Sequence, residues 1–384
     1  MNFQLTEEHL MIRKAARDFA KSECLPGVIA RDEHQQFPKE QIIKLAELGF
    51  MGMMVDPHYN GAGMDTISYV LAMEEISKID ASTSVSMSVN NSLVCWGLET
   101  FGSAVQKEKY LVPLAQGQKD GQLYIGAFLL SEPEAGSDAT SQQTTAEDLG
   151  DYYLINGTKN WITNGSSASV YLVIAQTDPA KGSKGINVFI VDKNTHGIAV
   201  AAKENKLGIR GSDTHSILFN DVKVPKENRI GEDGFGFTFA MKTLAGGRIG
   251  IAAQALGIAS GAYELALAYS KQRKAFGKEI MHHQAIQFKL ADMATKIEAA
   301  RLLCLKAAWE KDNHLDYTLS SSMAKVFASE TAMWVTTEAV QIHGGYGFVK
   351  EYHVERLMRD AKITQIYEGT SEVQRIVISR SILK

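Results

Sequence analysis

The sequence predicts an α+β protein built in three parts, helical, then β, then helical again. Three observations carry this reading. At 384 residues the chain is too long for one compact core, so two or three domains are expected. Apolar residues recur at helical spacing through the first third and again after residue 237, whereas residues 121–225 break into short β-rich runs separated by Gly, Asn, Asp and Ser. A glycine-punctuated stretch, GEDGFGF at 231–237, divides the second part from the third. The expected boundaries are therefore a helical domain at 1–120, a β-barrel or sheet domain at 121–230, and a four-helix bundle of long helices at 231–384.

The elements follow in order. Thr6 precedes two acids, and Ile12, Ala15, Ala16 and Phe19 lie on one face, which predicts a helix from Thr6 to about Cys24. A second helix is expected from Pro38 to Leu48, stopped by Gly49. A third spans about 66–79, with Val70, Met73 and Ile76 on one side, and helix continues over 84–101 and 104–116. In the middle part the runs YIGAFLL, DYYLI, VYLVIAQT, GINVFIVD and SILFNDVKV read as strands. Asn156-Gly157 predicts a type I′ hairpin, because that turn needs positive φ at both central residues. Residues 238–272, 283–311 and 317–342 each exceed a typical globular helix and carry small-residue faces suited to close packing.

Composition excludes several functions. With 45% hydrophobic residues and apolar runs broken by Lys, Arg or Glu, no membrane span is expected. A formal net charge of −4 and the lack of a basic stripe with interleaved aromatics argue against nucleic acid. Cys24, Cys95 and Cys304 lack CxxC spacing, which fits a reducing compartment and neither a disulfide framework nor a zinc site. The first ten residues show no secretory or transit leader. The expected location is the cytoplasm of a bacterium, or a mitochondrial matrix if a transit peptide has been removed.

Residues 360–375, DAKITQIYEGTSEVQR, set Glu368 in a turn between an apolar approach (Ile363, Ile366, Tyr367) and Gly369. Thr370 and Ser371 can cap the helix that follows; Ser371 with Gln374 fits a capping box, and Val373, Ile376, Val377 and Leu383 supply an apolar face. A carboxylate desolvated by such neighbours has a raised pKa and suits a general base, although a solvated turn glutamate satisfies the same local pattern. The loop 129–140, LLSEPEAGSDAT, offers Ser131, Ser137 and Thr140 hydroxyls and backbone donors to a ligand, or is an ordinary turn. In KNWITNG, Trp161 and Thr163 flank Ile162 and point one way, as a stacking platform or as core. GGRIG at 246–250 permits close approach of a ligand beside Arg248. SKQRKAFGK gathers Lys271, Arg273, Lys274 and Lys278 around Phe276 where a helix should end at Gly277. QIHGGYGF has no strand before it and no GxGxxG occurs, so a bound nucleotide would not sit on a Rossmann domain.

Together these segments resemble the acyl-CoA dehydrogenase family along essentially the whole chain, and look most like its short-chain (butyryl-CoA) members. The matching stretches are SVNNSL, SEPEAGSD, NGTKNWITNG, LAGGRIGIAAQALGIA, QRKAFGK with HHQAIQFKLADM, AVQIHGGYGF and RDAKITQIYEGTSEVQR. The resemblance implies the three-part fold of that family and FAD-dependent oxidation of a short-chain acyl-CoA to the trans-2-enoyl-CoA, as in fatty-acid β-oxidation, with electrons passed to an electron-transferring flavoprotein. It implies that Glu368 abstracts the α-proton while flavin N5 takes the β-hydride, and that the Glu368 N–H and a ribityl hydroxyl hold the thioester carbonyl. Some relatives carry their base at the position of Gly247, which is closed here. By the same match, Leu130, Ser131, Trp161 and Thr163 would surround the isoalloxazine, and Thr370 and Glu372 would also touch FAD. Arg273, Phe276, Gln284, Gln341, Gly344 and Gly345 would reach FAD from a neighbouring subunit. Ser137, Arg248, Tyr367 and Gly369 would contact acyl-CoA. The shared cofactor site requires at least a dimer, and a homotetramer is expected. Two departures stand out: Ser131 where threonine is common, and Ala245 where aspartate is frequent. The alternatives are a branched short-chain acyl-CoA dehydrogenase, an oxygen-using acyl-CoA oxidase, and a non-catalytic acyl-CoA or FAD-binding scaffold.

Overall fold

The computed structural model describes residues 4–384, so the first three positions of the leader reading lie outside it. The chain opens with α1 (Glu7–Phe19), α2 (Val28–Glu33), α3 (Lys39–Glu47), α4 (Thr66–Ser77), α5 (Ala81–Ser88), α6 (Trp96–Phe101), α7 (Ala104–Gln106) and α8 (Val112–Gln116). Thr6 caps α1 as expected: its Oγ1 accepts from His9 N at 3.2 Å, and His9 Nδ1 accepts from Thr6 N at 3.3 Å. Two departures from regular α-helix shape this part. The helix expected to reach Cys24 changes after Phe19 to a wider π turn, and α5 joins α6 through another at Val89–Cys95. The second holds Asn90 and Asn91, both buried. Asn90 donates to Met51 O and Leu114 O and accepts from Gly126 N; Asn91 accepts from Met53 N and donates to Phe50 O. The two amides thus hold segments of the helical part together, and Asn90 ties them to the start of the next strand at Gly126.

The short hairpin of β1 (Gln118–Lys119) and β2 (Gln122–Leu123) leads into a seven-stranded sheet made of β3 (Gly126–Leu129), β4 (Thr145–Asp148), β5 (Tyr152–Thr163), β6 (Val170–Gln176), β7 (Ile186–Asp192), β8 (Ile198–Lys203) and β9 (Thr214–Pro225). The order is β3-β6-β4-β5-β9-β8, with β7 paired to β6. The hairpin expected at Asn156-Gly157 does not form. β5 runs through both residues, and its pairing with β9 slips by a bulge between Ile155 and Gly157. Gly157 is needed there for a different reason: a Cβ would lie 2.6 Å from Thr144 Oγ1 on the crossing chain. The turn into β5 lies instead at Leu149–Asp151, with Gly150 at φ +88°.

The last part packs α9 (Gly236–Gln272), α10 (Gln284–Asp312) and α11 (Thr318–His343) lengthwise, with α12 (His353–Ile363) and α13 (Ser371–Ile382) against α11 and with α4 from the first part on α9. By length and composition α9 could cross a membrane, but its apolar stretch is 72% buried inside the protein, so the apolarity serves the core. α9 ends at Gln272, not Gly277. Lys274–Ala275 (β10) and Lys278–Glu279 (β11) form a small hairpin whose tip, Phe276 and Gly277, takes φ of +53° and +79°. Those paired positive angles are what an Asn-Gly turn would have supplied.

α12 is pinned from two sides. Arg356, itself bonded to Asp360 at 3.2 Å, reaches Ile79 O at 2.7 Å; Asp360 accepts from Ile209 N of the β part at 2.5 Å; Arg359 meets Asp32 at 2.8 Å. The turn that follows α12 therefore starts from a fixed platform.

Candidate active site

The turn after α12 holds Glu368 at φ +52° and Gly369 at φ +90°. A non-glycine residue in the left-handed region costs about 1 kcal/mol or more and persists only where its surroundings hold it. Gln374 on α13 donates to Glu368 O at 3.1 Å and Gly369 O at 2.9 Å, and Lys325 on α11 donates to Gly369 O at 2.7 Å. The Glu368 N–H takes part in none of the turn's backbone hydrogen bonds. Glu368 as a residue is half-buried, but its Oε2 is closed to water and has no hydrogen-bond partner. Burial pushes its carboxyl up to about 7, against the opposing pull of Lys325 and Arg248. Across the site a Cβ on Gly247 of α9 would lie 2.0 Å from that Oε2, so only glycine lets the carboxylate lie there.

The helix after this turn differs from the sequence expectation in two ways. Thr370 is its cap, accepting from Val373 N at 3.2 Å, and the Ser371–Gln374 capping box is absent because Gln374 is committed to the turn's carbonyls. Its buried side chains are Ser371 and Gln374; of the expected apolar face Val373 and Val377 are half-buried, while Ile376 and Leu383 are exposed.

Around the turn stand the other polar groups. Tyr367, held far above the ordinary tyrosine range by burial and by Glu368, donates to Gln254 Oε1, and Gln254 donates to Ala81 O at 2.9 Å and Ser84 Oγ at 3.2 Å. Arg248 is buried, its Nη1 donates to Ser322 Oγ at 3.3 Å, and its Nε has no partner.

A second group assembles on the β part. Trp161 sits at φ +64° and is 62% exposed, while Ile162 beside it is buried. The alternation expected around Ile162 is therefore present, with the indole turned out by a bulge in β5 between Lys159 and Ile162. Leu130 and Ser131 run alongside, Ser131 O accepting from Asn160 N at 2.8 Å. Beneath them lies an ion pair that the motif SEPEAGSD conceals: buried Lys159 meets Glu132 at 2.6 Å and also donates to Leu130 O at 3.1 Å. Burial draws Lys159 down to about 8; burial is also the largest influence on Glu132 and pushes it up, yet the Lys159 charge and hydrogen bond, together with the donors of Gln143 and Thr144, hold that carboxylate below its ordinary value. Ser137, in the same loop, is exposed.

The remaining residues named from the sequence lie apart. Arg273, Gly344 and Gly345 line an open cleft of about 560 Å³ with Tyr269, His343 and Tyr346, and neither Glu368 nor Trp161 lines it. The Arg273 guanidinium lies 5.6 Å from the Tyr346 ring. Phe276 is 96% exposed at the hairpin tip, and Gln284, Gln341 and Glu372 are exposed. Sequence reasoning passed over Lys325, Gln254 and the Glu132–Lys159 pair, and gave Gln374 a capping role in place of its bonds to the turn. The available signal for Lys325 was that it is the one charge in the run Ser320–Ser329.

Comparison with known proteins gives consistent matches. Models of the N-terminal, middle and C-terminal domains of acyl-CoA dehydrogenase match residues 6–118, 127–222 and 234–383. The short-chain-specific acyl-CoA dehydrogenase of Clostridium acetobutylicum is 50% identical over 384 residues, all of both chains. The solved structure of butyryl-CoA dehydrogenase from Megasphaera elsdenii superposes with a TM-score of 0.97 at 49% identity over the full length of both. A chain in a structure described as the electron transferring flavoprotein of Acidaminococcus fermentans, studied for flavin-based electron bifurcation, superposes with a TM-score of 0.98 at 49% identity, again over both full lengths.

Proposed function

Because the chain belongs to the acyl-CoA dehydrogenase family, we propose that it oxidises a short-chain acyl-CoA to the trans-2-enoyl-CoA and passes the electrons to an electron-transferring flavoprotein. The observation that carries this reading is the Glu368 carboxylate, with Oε2 closed to water and without a partner, and poised near neutrality. A base for a weakly acidic α-proton works best when its pKa lies near the working pH. The free N–H of the same residue is a donor for the thioester carbonyl, where negative charge builds as the proton leaves. Arg248, Tyr367 and Gly369 border the carboxylate, and Ser137 lies on the loop beside the indole platform; all four are assigned to acyl-CoA.

FAD suits the second group. The exposed Trp161 ring and the Ser131 and Thr163 hydroxyls offer a flat apolar surface edged by donors, which is what an isoalloxazine requires, with Leu130 alongside. Thr370 and Glu372 would also touch it, and Arg273, Phe276, Gln284, Gln341, Gly344 and Gly345 would hold the pyrophosphate and adenosine from a second copy of the chain, in a homotetramer. Bound there, FAD supplies the acceptor for the β-hydride. The chain's own task is to align the acyl α-carbon with Glu368 and to exclude water from the gap. The enzyme would work in a bacterial cytoplasm or a mitochondrial matrix.

The test is anaerobic addition of butyryl-CoA to the FAD-loaded protein, followed by the flavin absorbance. Rapid bleaching that a Glu368→Gln variant slows by at least ~10²-fold is expected. Equal bleaching by the variant would remove Glu368 as the base. Fast reoxidation of the bleached flavin by air would make it an oxidase, preference for branched acyl groups a branched-chain enzyme, and failure to take up FAD a scaffold.

A further inference from the structure

Lys325 is 0% exposed, about two turns into α11, and the base's turn leans on it. Its ammonium donates to Gly369 O at 2.7 Å. Gln374 already reaches that carbonyl at 2.9 Å, so a second donor is not needed simply to satisfy it. A neutral donor would also serve a carbonyl, whereas burying an ammonium costs several kcal/mol unless a charge compensates it. The compensating charge is the one the turn presents: Glu368 is the strongest charged influence on Lys325, and Lys325 the strongest on Glu368.

We propose that Lys325 is a positioning residue for the base, which both clamps the left-handed Glu368–Gly369 turn through the Gly369 carbonyl and keeps the Glu368 carboxylate ionised although its Oε2 is closed to water. The inference rests on the reading of Glu368 as the base. The neighbours of both groups support the division of labour. Glu368 faces Lys325 from α11, Arg248 from α9, Tyr69 from α4 and Tyr367 from its own turn. The tyrosines carry no charge near neutrality, since burial pushes both upward. Lys325 faces, besides Glu368, the like charge of Arg248 and the carboxylates of Glu372 and Glu330. Arg248 also acts on Glu368, but its guanidinium donates to Ser322 and it has no bond to the turn. Lys325 alone joins the charge to the clamp. Burial brings its own value down to about 8, above the value of about 7 for Glu368, so both groups are charged together in the window between the two.

The experiment compares Lys325→Gln, Lys325→Met and Glu368→Gln with the parent, all FAD-loaded. Two quantities are followed from pH 5.5 to 9: the rate of flavin reduction by butyryl-CoA, and the affinity for an acyl-CoA analogue with no β-hydrogen, read by calorimetry. Without the ammonium, the pH midpoint for reduction should rise by at least about one unit, so the rate at pH 6 falls roughly tenfold and recovers above pH 8. Lys325→Gln, which keeps a donor, should retain analogue binding within about threefold; Lys325→Met should lose part of it as the turn loosens. An unchanged midpoint in Lys325→Gln overturns the proposal, as does an equal loss of rate at every pH. If Lys325→Met does not fold, the glutamine variant decides alone. Normal turnover by Glu368→Gln would instead overturn the reading of the base, whatever Lys325 does.

Discussion

Gly247→Ala isolates the contact on which the base's placement depends. The added Cβ would lie 2.0 Å from Glu368 Oε2, 2.9 Å from its Cδ and 2.8 Å from Leu93 Cδ2. Carbon and oxygen do not approach within about 3.2 Å without strain, so the carboxylate must retreat by about 1.2 Å. It sits at the end of a flexible side chain, so it rotates away while α9 stays in place. Stability should therefore hardly change: alanine in a helix interior gains up to about 1 kcal/mol over glycine, and crowding at Leu93 costs a similar amount. Catalysis should change greatly, because displacing a reacting group by about 1 Å can cost ~10² in rate. The assay is single-turnover flavin reduction by butyryl-CoA, with thermal unfolding and FAD content measured on the same preparation. Gly246→Ala is the control, since its Cβ would meet nothing closer than 3.9 Å. The expected pattern is a ~10²-fold slower Gly247→Ala with near-parent stability, beside a Gly246→Ala that reduces flavin normally. A Gly247→Ala variant as fast as the parent would show that the carboxylate does not work from the position it occupies here.

Two further outcomes follow from other contacts. Burial holds folded Glu368 at about 7 against an ordinary 4.5, so between those values the folded protein binds the extra proton and its stability falls as pH rises. Glu368→Gln removes that loss: it should match the parent below pH 4.5 and exceed it above pH 7, by an upper bound on the order of 3 kcal/mol, seen as a pH-dependent gap between the two unfolding temperatures. A pH-independent gap would refute it. Trp161→Ala discards a ring that is 62% exposed and leaves the φ +64° backbone as it is, since alanine keeps the Cβ, so unfolding should shift little while FAD binds about 3- to 10-fold more weakly by flavin fluorescence. Lost stability with unchanged FAD affinity would make the indole a packing residue.

Much of this molecule is written locally. The helix–strand–helix order, the Thr6 cap, the three long helices and the turn at Glu368 follow from periodicity and capping chemistry, which act over a few residues. The errors share a cause. Asn156-Gly157 has the composition of a hairpin, yet Thr144 on the crossing chain requires the glycine, and the bulge replaces the turn. Ser371 and Gln374 fit a capping box, yet two carbonyls of the preceding turn take Gln374.

The sequence by itself determined that a carboxylate stands in a turn near the C-terminus, that position 247 offers no rival to it, and that a tryptophan and two hydroxyls lie on the β part. Only the tertiary structure decided what that carboxylate is. Its burial, its unpartnered oxygen, the lysine from α11 and the bare Gly247 on α9 come from segments 43 and 121 residues away. Desolvation and charge coupling depend on distance in space, and no local pattern records which distant side chains close around a turn.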